Sequence, residues 1–179
     1  IMSSGTMTVN NSTFSGNSAS VVGGGISNQG AMIVTNSTFS GNSTYAGGGI
    51  ALSAGSTATV TNSTFSGNSA DYGGGLDSQG ALTVINNTLS GNSASIIGGG
   101  IGNEGSGTLY LHNTILGNSP TGGDCSNGAT IVTNTNNLIE DGSCSPTLSG
   151  DPLLSPLGWN GGPTQTFTLL AGSPAIDAG

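Results

Sequence analysis

The sequence predicts an all-β chain wound into a right-handed parallel β-helix, a β-solenoid with coils of about 25 residues. Three observations predict it. The octad Asn36-Ser37-Thr38-Phe39-Ser40-Gly41-Asn42-Ser43 returns at 11–18 and 62–69, with changes at 86–93, and in a shortened form at 113–119. The large apolar residues Phe14, Phe39, Phe65, Leu89 and Ile115 fall 25, 26, 24 and 26 positions apart, a period that marks units stacked into a solenoid. Glycine and β-branched residues dominate, and no long window carries an apolar stripe at helical spacing, so a helical repeat is excluded.

Each coil opens on a short alternating strand: Met7/Val9, Met32/Val34, Ala58/Val60, Leu82/Val84 and Leu109/Leu111. Alternation with period two puts each pair on one face. The octad follows, with Phe14 and its equivalents expected inside. Its Gly-Asn makes a corner, where Asn17, Asn42, Asn68, Asn92 and Asn118 would hydrogen-bond one another up the stack. A triple glycine then leads into Ile26, Ile50, Leu76 and Ile101, a column stepping 24, 26 and 25 residues whose next step of 24 lands on Cys125. Glycine suits corners that need positive φ or close backbone approach. Right-handed winding follows from the handedness rule for parallel crossovers. The period degrades after Asn118. Repeats are assigned to 1–145, and a non-repeating Pro/Gly-rich segment over 146–179 is expected to pack on the solenoid through Trp159 and Leu169-Leu170.

Composition narrows the function. There are 34 glycines, 4% charged residues, no lysine or arginine and a net charge of −8. Nucleic-acid binding draws its affinity from Lys and Arg on phosphates, so it is excluded, and anionic lipid is disfavoured for the same reason. No apolar run reaches the length of a membrane span, so no membrane insertion by this segment is expected. An uncharged Ser/Thr/Asn surface suits a secreted or cell-surface setting. The chain opens at Ile1 already in the grammar of a coil, which reads as a piece of a longer precursor.

The Gly-Gly-Gly-Ile and Phe-Ser-Gly-Asn repeats resemble the GGA(I/L) and FxxN repeats of polymorphic outer-membrane proteins and related bacterial surface β-helices. The stretch DPLLSPLGWNGGPTQTFTLLAGSPAIDAG, 151–179, is similar to the end of bacterial β-helix proteins of the choice-of-anchor Q type. The resemblance implies a right-handed β-helix, secretion and surface attachment, and it carries no catalytic residues over. The chain departs from it in lacking Arg and Lys and in stopping at Gly179, where such proteins usually continue into an anchor.

Candidate chemistry is sparse. Asp77 and Glu104 sit on neighbouring coils, both expected to face solvent, at a separation of about 8 Å by strand dimensions. That suits an inverting glycosidase pair. Solvated carboxylates are the plainer reading, since Tyr45, Tyr72 and Tyr110 look scattered. Glu140, Asp141 and Asp151 read as loop carboxylates, His112 as a surface residue, and the Asn-x-Ser/Thr sites at Asn11, Asn36, Asn42, Asn62 and Asn86 as products of the repeat. No metal or cofactor is expected. Cys125 and Cys144 are the only cysteines, both lie where the repeat breaks down, and they are expected to form a disulfide in an oxidising exterior. The expected function is an extracellular structural or adhesive solenoid without enzymatic activity. Its partners would be further copies stacked head to tail into a filament, and surface glycans. The alternatives are a carbohydrate-active enzyme using Asp77 and Glu104, or a passive glycan-binding module.

Overall fold

A computed structural model describes residues 1–178. It is a solenoid of six coils, each contributing one strand to each of three parallel sheets. Sheet A holds Met2–Ser3, Ile26–Asn28, Ile50–Leu52, Leu76–Ser78, Ile101–Asn103 and Cys125–Asn127. Sheet B holds Thr6–Asn10, Ala31–Thr35, Thr57–Thr61, Ala81–Ile85, Thr108–His112 and Thr130–Thr135. Sheet C holds Thr13–Ser15, Thr38–Ser40, Thr64–Ser66, Thr88–Ser90, Ile115–Gly117 and Leu138–Ile139. A small fourth sheet pairs Ser69–Tyr72 with Ser93–Ile97.

Repeated residues meet their own copies. Val9, Val34, Val60, Val84 and Leu111 lie opposite one another in sheet B. Ile26, Ile50, Leu76, Ile101 and Cys125 do so in sheet A. The alternating strands turn these side chains into one continuous apolar core. Each fully buried Val, Leu, Ile or Phe contributes roughly 1.5–3 kcal/mol. Phe14, Phe39 and Phe65 stack face to face, with ring centroids 4.7 and 4.8 Å apart and planes within 3° and 4° of parallel. The third glycine of each triple has no room for a side chain: a Cβ on Gly49 would sit 2.6 Å from the Gly75 carbonyl and 2.8 Å from the Phe65 ring, and one on Gly25 2.6 Å from the Gly49 carbonyl and 3.1 Å from the Phe39 ring.

The interior corners are held by two polar ladders. At the first, the Asn42 backbone N–H and side-chain Nδ2–H both donate to Oδ1 of Asn68, at 3.0 and 2.9 Å. Asn17 does the same to Asn42 and Asn68 to Asn92. Each amide of Asn42, Asn68 and Asn92 also donates to a carbonyl of the preceding coil, at Phe14, Phe39 and Phe65. At the second corner, Ser37 N–H donates to Ser63 Oγ, Ser63 N–H to Asn87 Oδ1, Asn87 N–H to Thr114 Oγ1 and Thr114 N–H to Asn137 Oδ1. The asparagines just before this corner are left-handed, with Asn36 and Asn62 at φ 50°. Asparagine tolerates that region better than other side chains except glycine, which accounts for its recurrence at those Asn-x-Ser/Thr sites.

Two expected column members are corrected. Leu116, not Ile115, lies opposite Leu89 and continues the phenylalanine column. Ile115 pairs with Thr88 on the outer face of sheet C. Asn118 is not in the asparagine ladder. It is exposed, adopts φ 58° and makes its contact through Nδ2 to Ser90 Oγ. The fifth copy runs without a gap from Asn113 to Leu116, and its missing residue falls afterwards. Asn118 therefore lands where earlier coils have a left-handed glycine, such as Gly67 or Gly91, and the ladder ends at Asn92.

Cys125 and Cys144 form the expected disulfide, with Cα atoms 5.8 Å apart, and close the sixth coil. Beyond it, Leu154 bridges Leu169 and Gly158 bridges Thr166 in an irregular antiparallel hairpin that lies along sheet C. Pro152 rests beside Gly117 in the fifth coil. Thr38 Oγ1–H donates to the Gln165 carbonyl and Thr164 Oγ1–H to that of Asn36, in the second coil. Thr38 and Thr64, outward-facing on sheet C, are buried. Trp159 does not pack as expected: it is 69% exposed near the hairpin turn, and Leu169 and Leu170 are also exposed.

Asn68→Ala leaves at least two buried polar groups without partners and is expected to cost roughly 3 kcal/mol. Asn118→Gly should cost about 0.5 kcal/mol or less. Chemical denaturation of both variants checks this, and equal losses would contradict the ladder. Replacing both cysteines with alanine is expected to cost about 3 kcal/mol through the unfolded chain's added freedom. Ellman titration of the denatured, unreduced protein should find no free thiol.

Candidate functional site

The outward residues of sheet A form the floor of a groove, reading Ser27, Ala51, Asp77, Gly102 and Ser126 from coil to coil. The first glycine of each triple builds one wall. Gly73 is left-handed, at φ 58°, and sits so close over the strand that an added Cβ would lie 2.6 Å from Asp77 Cα. Gly47 and Gly98 lie the same way over Ala51 and Gly102. The residues preceding these glycines are thereby folded back along the sheet, and Val22, Ala46, Tyr72 and Ile97 fall into one row.

The opposite wall comes from the corner between sheets A and B. Most coils cross it in a short turn such as Gln79-Gly80, whereas the third and fifth coils use the longer turns 53–56 and 104–107. Gln79 of the fourth coil sits between these longer turns, and Ser106 Oγ–H donates to its carbonyl at 2.9 Å. The result is a cleft of about 280 Å³ lined by Tyr45, Tyr72, Ile97, Asp77, Gln79 and Glu104. A second hollow of about 310 Å³ shares Tyr45, Asp77 and Gln79 and extends the groove toward Val21 and Ser53.

Asp77 differs from its expected state. It points away from the core as read, but it is only 5% exposed. The fold-back at Gly73 covers it, and a single sequence carries no signal of that cover beyond the glycine itself. Among the described residues no side-chain hydrogen bond reaches its carboxyl. Burial, and secondarily the Glu104 charge, push the Asp77 carboxyl up to about 7. Glu104 is half-buried and turned toward the sixth coil, where its Oε1 accepts from Ser126 Oγ at 3.3 Å. Gly102, between them in the stack, puts no side chain in the way. The tyrosines are not scattered either. Tyr45 and Tyr72 meet edge to face, 5.4 Å between centroids, at the mouth of the same cleft. Tyr110 stands apart on sheet B.

Other candidates resolve into structure. Asp124 and Asp141 exchange hydrogen bonds, each backbone N–H donating to the other's carboxylate, and Ser143 donates to Asp141. Despite partial burial, these bonds hold the Asp141 carboxyl below its usual range. No group of three or more metal-ligating side chains occurs among the described residues. Both ring nitrogens of His112 are engaged by hydroxyls of the sixth coil, Nδ1 with Thr135 and Nε2 with Thr133.

With parallel sheets, stacked columns and an outward groove, the molecule is a β-helix. The chain matches the family model described as right handed beta helix region over residues 1–143, and it belongs to that family. No curated protein and no solved structure matches it. Membership fixes the architecture and leaves the activity to be argued from the site.

Because the folded pKa of Asp77 lies above the unfolded value, the native state holds a proton that the unfolded chain gives up. The associated stability is present below pH 4 and is lost as pH rises to about 7. Denaturation midpoints of wild type are therefore expected to fall between pH 4 and 7, and Asp77→Asn should flatten that slope. The Asp141 contribution has the opposite sign and lies below this window. An unchanged slope in Asp77→Asn would show that Asp77 does not carry it.

Proposed function

We propose that this chain is part of an extracellular, surface-displayed β-solenoid with an adhesive role, and that the groove on sheet A takes a neutral glycan. The observation that carries the reading is Asp77: a residue 5% exposed overall, whose carboxyl has no side-chain partner and lines the base of a cleft edged by two tyrosines. Such a group is costly to keep unless something donates to it. Sugar hydroxyls are donors of the right kind, Gln79 and Glu104 add polar contacts, and the tyrosine faces suit the C–H surface of a pyranose. With no lysine or arginine in the chain, an anionic sugar would meet no cation. The disulfide fits an oxidising compartment.

A second reading has one specific observation in its favour. A carboxyl held near 7 beside another carboxyl is the arrangement of a general acid in glycoside hydrolysis. On that reading Asp77 protonates the leaving oxygen and Glu104 directs water.

A glycan array followed by calorimetry on any hit separates these readings. Binding of neutral oligosaccharides is expected, with Tyr72→Ala weakening it about tenfold, or 1.4 kcal/mol. No neutral glycan bound, or undiminished binding by Tyr72→Ala, would sink the proposal. Turnover of the bound sugar that vanishes in Asp77→Asn or Glu104→Gln would replace adhesion with hydrolysis.

A further inference from the structure

The three long faces of the solenoid are finished differently. Sheet A is roofed by its own fold-back segments, and sheet C lies under the C-terminal hairpin. Sheet B carries neither cover. Its outward positions form three ranks in register from coil to coil, with threonine the commonest residue. Threonine stands at Thr6 and Thr8 in the first coil, Thr35 in the second, Thr57, Thr59 and Thr61 in the third and Thr83 in the fourth, with Asn10, Ala31, Ile33, Ala81 and Ile85 at the remaining outward positions. No strand of this sheet contains Asp, Glu, Lys or Arg, although the chain carries eight acidic residues elsewhere.

The three ranks keep one-to-one register through the first five coils. Parallel stacking sets a repeat of about 4.7–4.9 Å between coils and about 6.6–6.8 Å between ranks. Threonine is stiff about χ1 and presents one methyl and one hydroxyl wherever it stands in the ranks. Thr35 Oγ1–H donates to Asn10 Oδ1 along its rank, which fixes those two side chains relative to each other.

We infer that the outward face of sheet B binds ice. An uncharged, threonine-rich array in coil-to-coil register, with a repeat close to that of the oxygen rows in ice, fits a periodic solid better than a folded partner. The methyl groups order the water between them, and the hydroxyls anchor that water in the positions of the lattice. A charged side chain would hold water in a different geometry, and none stands on the sheet. Over the first four coils the outward side chains are threonine, small or aliphatic, apart from Asn10 at one corner; Tyr110 and His112 bound the array in the fifth. This surface is separate from the sheet A groove, and the inference does not depend on what that groove binds.

Ice-crystal shaping and thermal hysteresis of the full chain test it. Wild type is expected to facet growing crystals and to give a hysteresis that rises with concentration. Thr59→Lys should lose most of that activity, and so should Thr59→Tyr, a substitution the same rank already accommodates at Tyr110. Circular dichroism verifies that each variant keeps the wild-type fold. Asp77→Asn should retain full activity. Unshaped crystals with wild type, or undiminished hysteresis in a folded Thr59 variant, would overturn the inference. So would binding to powdered crystalline cellulose or chitin without any effect on ice.

Discussion

The asparagine ladder at the first interior corner is the interaction the rest of the structure depends on. A chain that turns three times per coil must hide corner amides that no sheet can pair. Each ladder asparagine solves this by taking the backbone N–H and the side-chain amide of the preceding coil on one oxygen, while its own amide reaches back to a carbonyl. Buried donors and acceptors are thus satisfied at a point where an apolar residue would leave them bare. The bond also acts as a register mark. A slip by one residue would break both donations at once, and the phenylalanine stack beside the ladder would lose its face-to-face contact.

In-register stacking explains why the faces differ although the coils are alike. Identical interiors let outward residues vary freely, and variation at a few corners is enough to make a site. The longer turns of the third and fifth coils flank Gln79, which stays exposed between them. One aspartate at a position held elsewhere by Ser27, Ala51, Gly102 and Ser126 then becomes a buried carboxyl. Sheet B keeps its repetition, and sheet C carries the hairpin.

Much of the fold was legible because it is periodic. The alternating pairs of sheet B, the column from Ile26 to Cys125 and the asparagines from Asn17 to Asn92 were read from spacing, the disulfide from there being only two cysteines where the repeat breaks down, and the structure places them together. Failures came where periodicity stopped informing. The misplacement of Ile115 and Asn118 treated an apolar residue near the expected spacing as the column member, whereas counting forward from Asn113 would have chosen Leu116. The groove was missed for another reason. Tyr45 and Tyr72 stand 27 residues apart, one more than the 26 separating the Asn42 and Asn68 that anchor their coils, so they looked unaligned. The two side chains nonetheless meet. The burial of Asp77 depends on a left-handed Gly73 folding over it, and within a triple glycine the sequence does not say which residue is left-handed.

Backbone hydrogen exchange measured residue by residue tests the central claim most directly. If the ladder holds the register, the amides of Asn42 and Asn68 should exchange only with global unfolding, together with those of Val60 and Val84 in the core of sheet B. The amides of Ala54 and Gly55, exposed at the tip of the turn at 53–56, should exchange far sooner. Early exchange at Asn42 and Asn68, with the sheet B core still protected, would mean that apolar packing alone maintains the stack and would contradict the account.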